Sequence, residues 1–305
     1  MACKRCLEKP IFRITSGERL CKSCFIKYFE KKARKTISKY GMVGEGDRIA
    51  VAISGGKDSL AVLGILDDMN SRQSFKLFAI LIDEGIKGYR PSTLKDAKAF
   101  CRKRKIPLHV ISFKKELGIT LDTMVKKAGK DKACGVCGIF RRYLLNKAAR
   151  KLKANKLFTG HNLDDETQSI MMNQFRQNVA TSARLGPVTG VRADERFIRR
   201  YKPFYLLSEK EVAAYAFEKK MLGRFIECPY AFSSYRGEVR DMLNEIESRH
   251  PGSKASVIKS FLEILPLLKE KYAAQDARIK SCEKCREPCS QDVCMACKTL
   301  KLLKN

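Results

Sequence analysis

The stretch Ile49-Ala50-Val51-Ala52-Ile53-Ser54-Gly55-Gly56-Lys57-Asp58-Ser59 decides the fold. Its five apolar residues read as a buried strand, and the run from Leu60 to Asp68 reads as a helix. Two glycines stand at the handover, where missing side chains let backbone N–H groups approach phosphate oxygens and the helix adds its positive N-terminal dipole. Lys57 contributes a point charge, and Ser54 and Ser59 contribute hydroxyls. The P-loop of kinases and GTPases needs four residues between its first glycine and Gly-Lys-Ser/Thr, which this loop lacks. An Asp directly after the lysine opposes phosphate unless a divalent ion stands between them. Asp58 is therefore assigned to Mg2+ or to orienting the reacting groups.

Outward from this loop the pattern alternates. Strands are expected over Ile49–Ile53, Lys76–Ile82, Leu108–Ile111 and Lys156–Thr159, with helices over Leu60–Asp68, Thr93–Lys103, Ile139–Leu152 and Asp164–Gln174. This rhythm predicts an α/β fold, a parallel sheet covered by helices on both faces. Gly160-His161-Asn162-Leu163-Asp164-Asp165 occupies a second strand-to-helix junction, with His161 either a base or a hydrogen-bonded structural residue. Ser208-Glu209-Lys210-Glu211 reads as a capping box opening a helix to Lys219 that stops near Gly223, and a helix-rich stretch runs from Val239 to Tyr272. The expected units are a zinc ribbon over 1–27, a linker helix over 28–47, a catalytic domain over 48–232, a helical extension over 233–278 and a second zinc module over 279–305.

Lys and Arg total 62 against 33 Asp and Glu, a formal charge of +29. Such a surface attracts polyanions, nucleic acid first among them. No window approaches the ~18 apolar residues that span a bilayer, and Met1-Ala2-Cys3-Lys4 opens no apolar leader, so a cytoplasmic protein without a membrane is expected. Thirteen cysteines, mostly in Cys-x-x-Cys pairs, then point to bound metal and not to disulfides.

Cys3-x-x-Cys6 and Cys21-x-x-Cys24 lie 14 residues apart, which is zinc-ribbon spacing. Cys282-x-x-Cys285 and Cys294-x-x-Cys297 repeat the arrangement with a shorter loop that contains Cys289, left unassigned. Two Zn2+ ions, each closed by four thiolates, make these structural sites. Cys101 stands alone in a helix and reads as core. Cys134-Gly135-Val136-Cys137 opens a helix, and Cys228 follows in Glu227-Cys228-Pro229-Tyr230. Three thiolates can hold a metal cluster and leave one position free. A disulfide and persulfide relay, favoured by the low thiol pKa of Cys-x-x-Cys at a helix start, and half of an incomplete zinc site are the alternatives.

Ser54-Gly55-Gly56-Lys57-Asp58-Ser59 after an apolar strand resembles the PP-loop ATP pyrophosphatases, which adenylate a substrate oxygen and release pyrophosphate. The resemblance implies ATP contacts from Ala52, Ser54, Gly55, Gly56, Lys57, Asp58, Ser59, Ile82, Arg141, Gly160 and Asp165. With Cys134, Cys137 and Cys228 it extends to the iron–sulfur-dependent tRNA 2-thiouridine synthetases, in which three cysteines hold a 4Fe-4S cluster whose unligated iron carries the incoming sulfur. It thereby implies catalytic roles for Asp58, Arg141, Cys134, Cys137 and Cys228. Asp83-Glu84-Gly85-Ile86-Lys87-Gly88-Tyr89-Arg90 resembles the wobble-uridine branch shared by archaea and the eukaryotic cytosol, and Cys24 stands where the ribothymidine branch often has His. The implied reaction adenylates uridine O2 and then transfers sulfur, from a ubiquitin-like carrier or free sulfide, on a homodimer.

For tRNA the candidate contacts are Lys31, Lys32, Arg34, Lys35, Arg102 to Lys105, Arg199 and Arg200, each run being a solvated face otherwise, and Arg142 lies with Arg141 one turn after Cys137, on the cysteine helix or its solvated face. Three alternatives remain: thiolation of a TΨC-loop ribothymidine or an anticodon-loop cytidine, a small-molecule ATP pyrophosphatase, and a non-catalytic zinc-ribbon RNA-binding protein. The last predicts loss of Lys57 or Asp58, and both are present. The charge and the lack of a glutaminase segment weigh against the second.

Overall fold

The computed structural model describes the chain except residues 1, 15, 192, 193, 195, 222–227, 231–234, 276–278 and 305. Gly223, the expected helix stop, and Glu227 lie outside the described residues. Two short antiparallel strands, β1 (Phe12–Arg13) and β2 (Arg19–Leu20), precede α1 (Lys22–Lys39). The central alternation is β3 (Arg48–Ile53), α2 (Lys57–Asn70), β4 (Lys76–Asp83), α3 (Arg90–Lys103) and β5 (Leu108–Ser112). Short helices α4 (Phe113–Leu117) and α5 (Leu121–Ala128) lead to α6 (Ala133–Lys151), β6 (Lys156–Thr159), α7 (Leu163–Phe175), α8 (Val179–Ser182) and β7 (Arg200–Tyr201). Helices α9 (Glu209–Glu218), α10 (Tyr235–Arg249) and α11 (Ser253–Gln275) are followed by strands β8 (Lys280–Ser281) and β9 (Pro288–Cys289) and by α12 (Met295–Lys304).

Five strands form one sheet in the order β5-β4-β3-β6-β7, every neighbouring pair parallel, as the alternating pattern predicts. Because strand side chains alternate, the apolar runs feed two separate cores. Ile49, Val51 and Ile53 of β3, with Ala79 and Leu81 of β4, pack on α2 and α9. Ala50, Phe78, Ile80 and Ile82 face the other way, onto Phe140 and Leu144 of α6. Helix α2 is buried without a break from Ser59 to Leu66, because the sheet covers one side and Val212, Tyr215 and Ala216 of α9 cover the other. Among the described residues no helix is long and apolar enough to cross a membrane.

Helices α2, α3 and α6 start at least three residues earlier than their apolar periodicity suggests, α3 at Arg90 instead of Thr93. Helix α2 begins at Lys57 behind an N-cap at Gly56, so Lys57 and Asp58 sit in its first turn. Helix α6 begins at Ala133, which puts Cys134, Cys137 and Arg141 on successive turns of one helix. In α2 the polar Lys57 and Asp58, which carry no apolar signal, complete the first turn at the end of β3, and in α6 the small residues after the Lys130–Lys132 turn do so.

The cysteine-rich ends pack on opposite sheet faces. Cys3, Leu20, Cys21, Phe25 and Phe29 join the cluster of α2 and α9, whereas Cys282, Cys289, Cys294 and Leu303 join that of α6. Phe29 carries the first junction, stacked on Tyr215 at 4.1 Å between ring centroids and edge-on to Phe204 at 5.2 Å. Phe29→Ala should lower the unfolding free energy by ~3–5 kcal/mol. Urea denaturation measures this, and a loss below about 1 kcal/mol would mean that α1 is not part of the shared core.

Candidate active site

Parallel strands β3 and β6 lie side by side, and the connections from them leave in different directions across the sheet, so their carboxyl ends open a crevice. Ser54–Ser59 and Gly160–Asp165 meet there. The first loop is closed on itself: the Ser54 N–H donates to Ser59 Oγ at 3.1 Å, Gly56 N–H donates to Ser54 Oγ at 3.2 Å, and Ser59 Oγ–H donates to the Gly56 carbonyl at 3.0 Å. Gly55 has φ +85°, and a Cβ there would lie 2.2 Å from the Thr93 carbonyl oxygen. A Cβ on Gly160 would lie 2.8 Å from both the Asp58 carbonyl carbon and the Ser59 nitrogen. Gly160 therefore serves first to let the two strand ends touch.

Lys57 Nζ lies 3.1 Å from Asp58 Oδ2 and 3.1 Å from Glu209 Oε1 of α9. Burial opposes its charge, but the two carboxylates outweigh burial and hold the ammonium above its ordinary range. Asp58 Oδ1 accepts from Asn162 Nδ2 at 3.2 Å, tying the two loops. Asn162 also N-caps α7, accepting from the Asp165 N–H while Asp165 Oδ2 accepts from the Asn162 N–H. One oxygen of Asp165 thus completes a capping box, and the other lies 3.7 Å from Arg236 Nη1. Burial, only partly countered by Arg236, pushes the Asp165 carboxyl up to about 6. His161 Nδ1 is hydrogen-bonded to Thr159 Oγ1 at 2.8 Å, and burial with Lys202, Arg236, Arg200 and Arg141 nearby holds the imidazole well below its usual pKa, hence neutral.

Glu84, at the end of β4, sits between two arginines. It is 2% exposed, pairs with Arg90 through Oε2, and lies 3.4 Å from Arg141 Nε through Oε1. Arg90 Nη1 donates to the Ser54 carbonyl at 2.9 Å and to Thr93 Oγ1 at 3.2 Å. A small cavity between β3, β4 and α6 is lined by Ala52, Ser54, Ile82, Glu84, Arg90 and Arg141 among others. Arg141 is electrostatically linked to Cys137, whose buried thiol is pushed up to about 12, with Arg141 opposing and Glu84, Cys228 and Cys134 reinforcing. Burial also raises Cys228, and Cys134 Sγ lies 3.4 Å from the Tyr230 carbonyl oxygen.

Among the described residues, the groups of three or more ligand atoms within 4.8 Å of one another are Cys3, Cys6, Cys21, Cys24 and Cys282, Cys285, Cys294, Cys297. A single tetrahedral zinc ion with ~2.3 Å bonds draws its sulfurs to about 3.8 Å of each other, so the two tetrads fit one ion each. Backbone N–H groups complete them: against burial they pull Cys3 and Cys282 down to about 6. Cys289 lies outside its tetrad and donates to the Gln291 carbonyl at 2.7 Å. The middle trio does not form such a group among the described residues. Three thiols beside one guanidinium, one exposed and two half-buried, fit a larger guest whose charge would ionise them.

The basic candidates divide. Lys32, Arg34 and Arg104 are paired, to Glu211 at 3.5 Å, Glu30 at 3.2 Å and Asp67 at 2.7 Å respectively. Lys31, Lys35, Arg102, Lys103 and Lys105 are exposed. Arg200 is pushed down to about 10 by burial and then by the neighbouring Arg142. Glu84, Arg90, Asn162, Glu209 and Arg236 are the site residues that motif reasoning did not assign. Glu84 and Arg90 lie in the Asp83–Arg90 stretch, Asn162 in the Gly160–Asp165 motif and Glu209 in the Ser208–Glu211 capping box, whereas Arg236 lies in no motif.

A family model described as the PP-loop domain matches residues 27–227. Cytoplasmic tRNA 2-thiolation protein 1 of Dictyostelium discoideum is 36% identical over 99% of this chain and 83% of its own length. The chain belongs to the tRNA 2-thiolation family of PP-loop proteins. The tRNA 2-thiolation protein NcsA of Haloferax volcanii is 33% identical over 99% of this chain and 98% of its own. The solved structure of the U34-tRNA thiolase NcsA from Methanococcus maripaludis with its 4Fe-4S cluster superposes with a TM-score of 0.82 at 31% identity, covering 99% of this chain and 96% of that one. The match spans both terminal tetrads, so this chain shares the whole family architecture and not the loop alone.

Gly160→Ala should separate the two loops, lower stability by about 1–3 kcal/mol and abolish binding of a non-hydrolysable ATP analogue. Calorimetric titration with thermal melting checks both, and unchanged analogue affinity would show that the apposition of the loops is not needed.

Proposed function

We propose that the chain is a tRNA 2-thiouridine synthetase acting on the wobble uridine of the anticodon. The observation that supports this most is the convergence of three elements at Glu84 and Arg141: the pyrophosphate loop, the end of β4 and the helix bearing Cys134 and Cys137. The relative solved with a cluster and described as a U34-tRNA thiolase supports the choice of base.

In the first step the uridine C2 oxygen attacks the α-phosphate of ATP and pyrophosphate leaves. The N–H groups of Ser54–Ser59 and the Lys57 ammonium, released from Glu209, neutralise the charge growing on the leaving group. Asp58 and Asp165 face the same crevice, and Asp58 is the proposed holder of Mg2+. Ala52 and Ile82 wall the nucleotide, and Arg141 lies between it and the cysteines. In the second step sulfide adds at C2 and AMP departs with the original oxygen. A 4Fe-4S cluster on Cys134, Cys137 and Cys228 supplies, when bound, an iron without a protein ligand for that sulfide. The terminal tetrads hold structural Zn2+. The proposed units remain 1–27, 28–47, 48–232, 233–278 and 279–305. A ubiquitin-like carrier or free sulfide as donor, a homodimer and a cytoplasmic site are carried over from the family.

Anaerobic reconstitution should give about four irons and four labile sulfides per chain and lose them in Cys228→Ser. A chain that thiolates tRNA without iron would replace the cluster by the persulfide relay. Lys57→Met should lower thiolation by roughly 10²–10³-fold, read by mapping thionucleosides in unmodified tRNA incubated with ATP and sulfide. Sulfur found elsewhere than the wobble position would overturn the proposed target.

The raised Asp165 carboxyl also gives a sign for pH. Its folded pKa of about 6 lies above the ordinary carboxylate value, so it is protonated at pH 5 and ionised at pH 7. With the carboxylate as the working form, kcat/KM rises with pH through about 6, and Asp165→Asn removes that limb. An unchanged acid limb in the variant would exclude Asp165 as its source.

A further inference from the structure

We propose that Glu84 is a positioning residue that sets Arg141 against the nucleotide and the cysteines while Arg90 fixes the mouth of the pyrophosphate loop. This deepens the thiolase reading and rests on it. The geometry is asymmetric. Arg90 is buried and held three times, by Glu84, by the Ser54 carbonyl at 2.9 Å and by Thr93 Oγ1 at 3.2 Å. Arg141 has a side chain 46% exposed, and Glu84, at 3.4 Å from its Nε, is its one carboxylate partner among the described residues. Loss of that contact leaves Arg90 anchored and Arg141 without a carboxylate, held from the cysteine side by Cys137.

The charges explain why a carboxylate is used. Two guanidiniums meeting near one buried point repel each other, and a single acid between them cancels one charge and leaves the other available to a phosphate or a thiolate. A longer arm or a neutral amide cannot do both. Glu84 also follows directly on β4, whose register against β3 is fixed over six residue pairs, so its backbone cannot drift relative to Ser54. One side chain thereby ties the end of β4, the loop after β3 and the cysteine helix α6 into a fixed relation.

Removing the acid altogether strands a buried guanidinium and risks the fold. Glu84→Asp keeps the charge that Arg90 needs but withdraws it by one methylene from Arg141. The test uses the full chain and reads ATP-dependent pyrophosphate release with unmodified tRNA, together with calorimetric binding of a non-hydrolysable ATP analogue to cluster-free protein. Glu84→Asp should lower kcat at least tenfold, with KM for ATP and analogue affinity within about threefold of the parent. Glu84→Asp/Arg141→Gln should then be no slower than Arg141→Gln alone, because the acid acts through the arginine. Parental kcat in a folded Glu84→Asp, a KM effect without a kcat effect, or additive losses in the double variant would each overturn the proposal. Absence of tRNA-dependent pyrophosphate release in the parent chain would instead sink the thiolase reading, so the two failures are told apart.

Discussion

The parallel contact of β3 with β6 is the constraint on which the site depends. Ile49 to Ala52 pair in register with Lys156 to Thr159, so two strands separated by about a hundred residues of chain end at the same height. Each end then opens a helix, and the N-termini of α2 and α7 aim at one crevice. The approach is so close that only glycine fits at residue 160, where any Cβ would press on the backbone of Asp58 and Ser59. Side chains come second: Lys57, Asp58, Asn162 and Asp165 can act together only because the strands bring their backbones to contact.

A chain with a net charge of +29 must also keep its cations from repelling one another inside the fold. It does so with a few buried acids, each bridging separate elements. Glu166 pairs with Lys202 at 2.7 Å, both nearly inaccessible, and Asp164 pairs with Lys254 of α11 at 2.6 Å while accepting from the Glu209 N–H at 2.7 Å. Glu211 receives Tyr28 at 2.8 Å and caps α9. These acids join α7, α9, α11 and α1 around the crevice without covering it. Outside these bridges Lys31 and Lys35 of α1 are exposed, on a surface open to a polyanion.

Local patterns made much of this legible. The apolar run before Ser54 and the alternation after it announced the parallel sheet, and Cys-x-x-Cys spacing marked both tetrads, because each depends on residues near in sequence. Glu84, Glu209 and Arg236 were not assigned because their roles depend on partners 6, 57, 152 or 71 residues away, in the contacts Arg90, Arg141, Lys57 and Asp165. Spacing carries no sign of such pairs. The reason for Gly160 was also hidden: a glycine beside a motif suggests room for a ligand, whereas here the nearest atoms belong to the chain itself.

Cys-x-x-Cys occurs at the ends and in the middle of this chain, yet the fold gathers the sulfurs differently. In the terminal tetrads the sulfurs crowd within 4.8 Å, and backbone N–H groups donate to them, as Cys294 N–H does to Cys282 Sγ at 3.3 Å. One thiol of each tetrad, Cys3 and Cys282, is drawn towards the thiolate by those donors, while Cys6, Cys24, Cys294 and Cys297 are held above the ordinary range, so a bound cation completes the ionisation of the set. In the middle, Cys137 and Cys228 lie in surroundings that disfavour the thiolate, and Arg141 is the cation placed against Cys137. Ionisation at that site therefore has to be driven by what binds. Three sulfurs beside a loop built for phosphate, with an arginine shared between them, are suited to exchange, whereas four sulfurs crowded around one point are suited to hold.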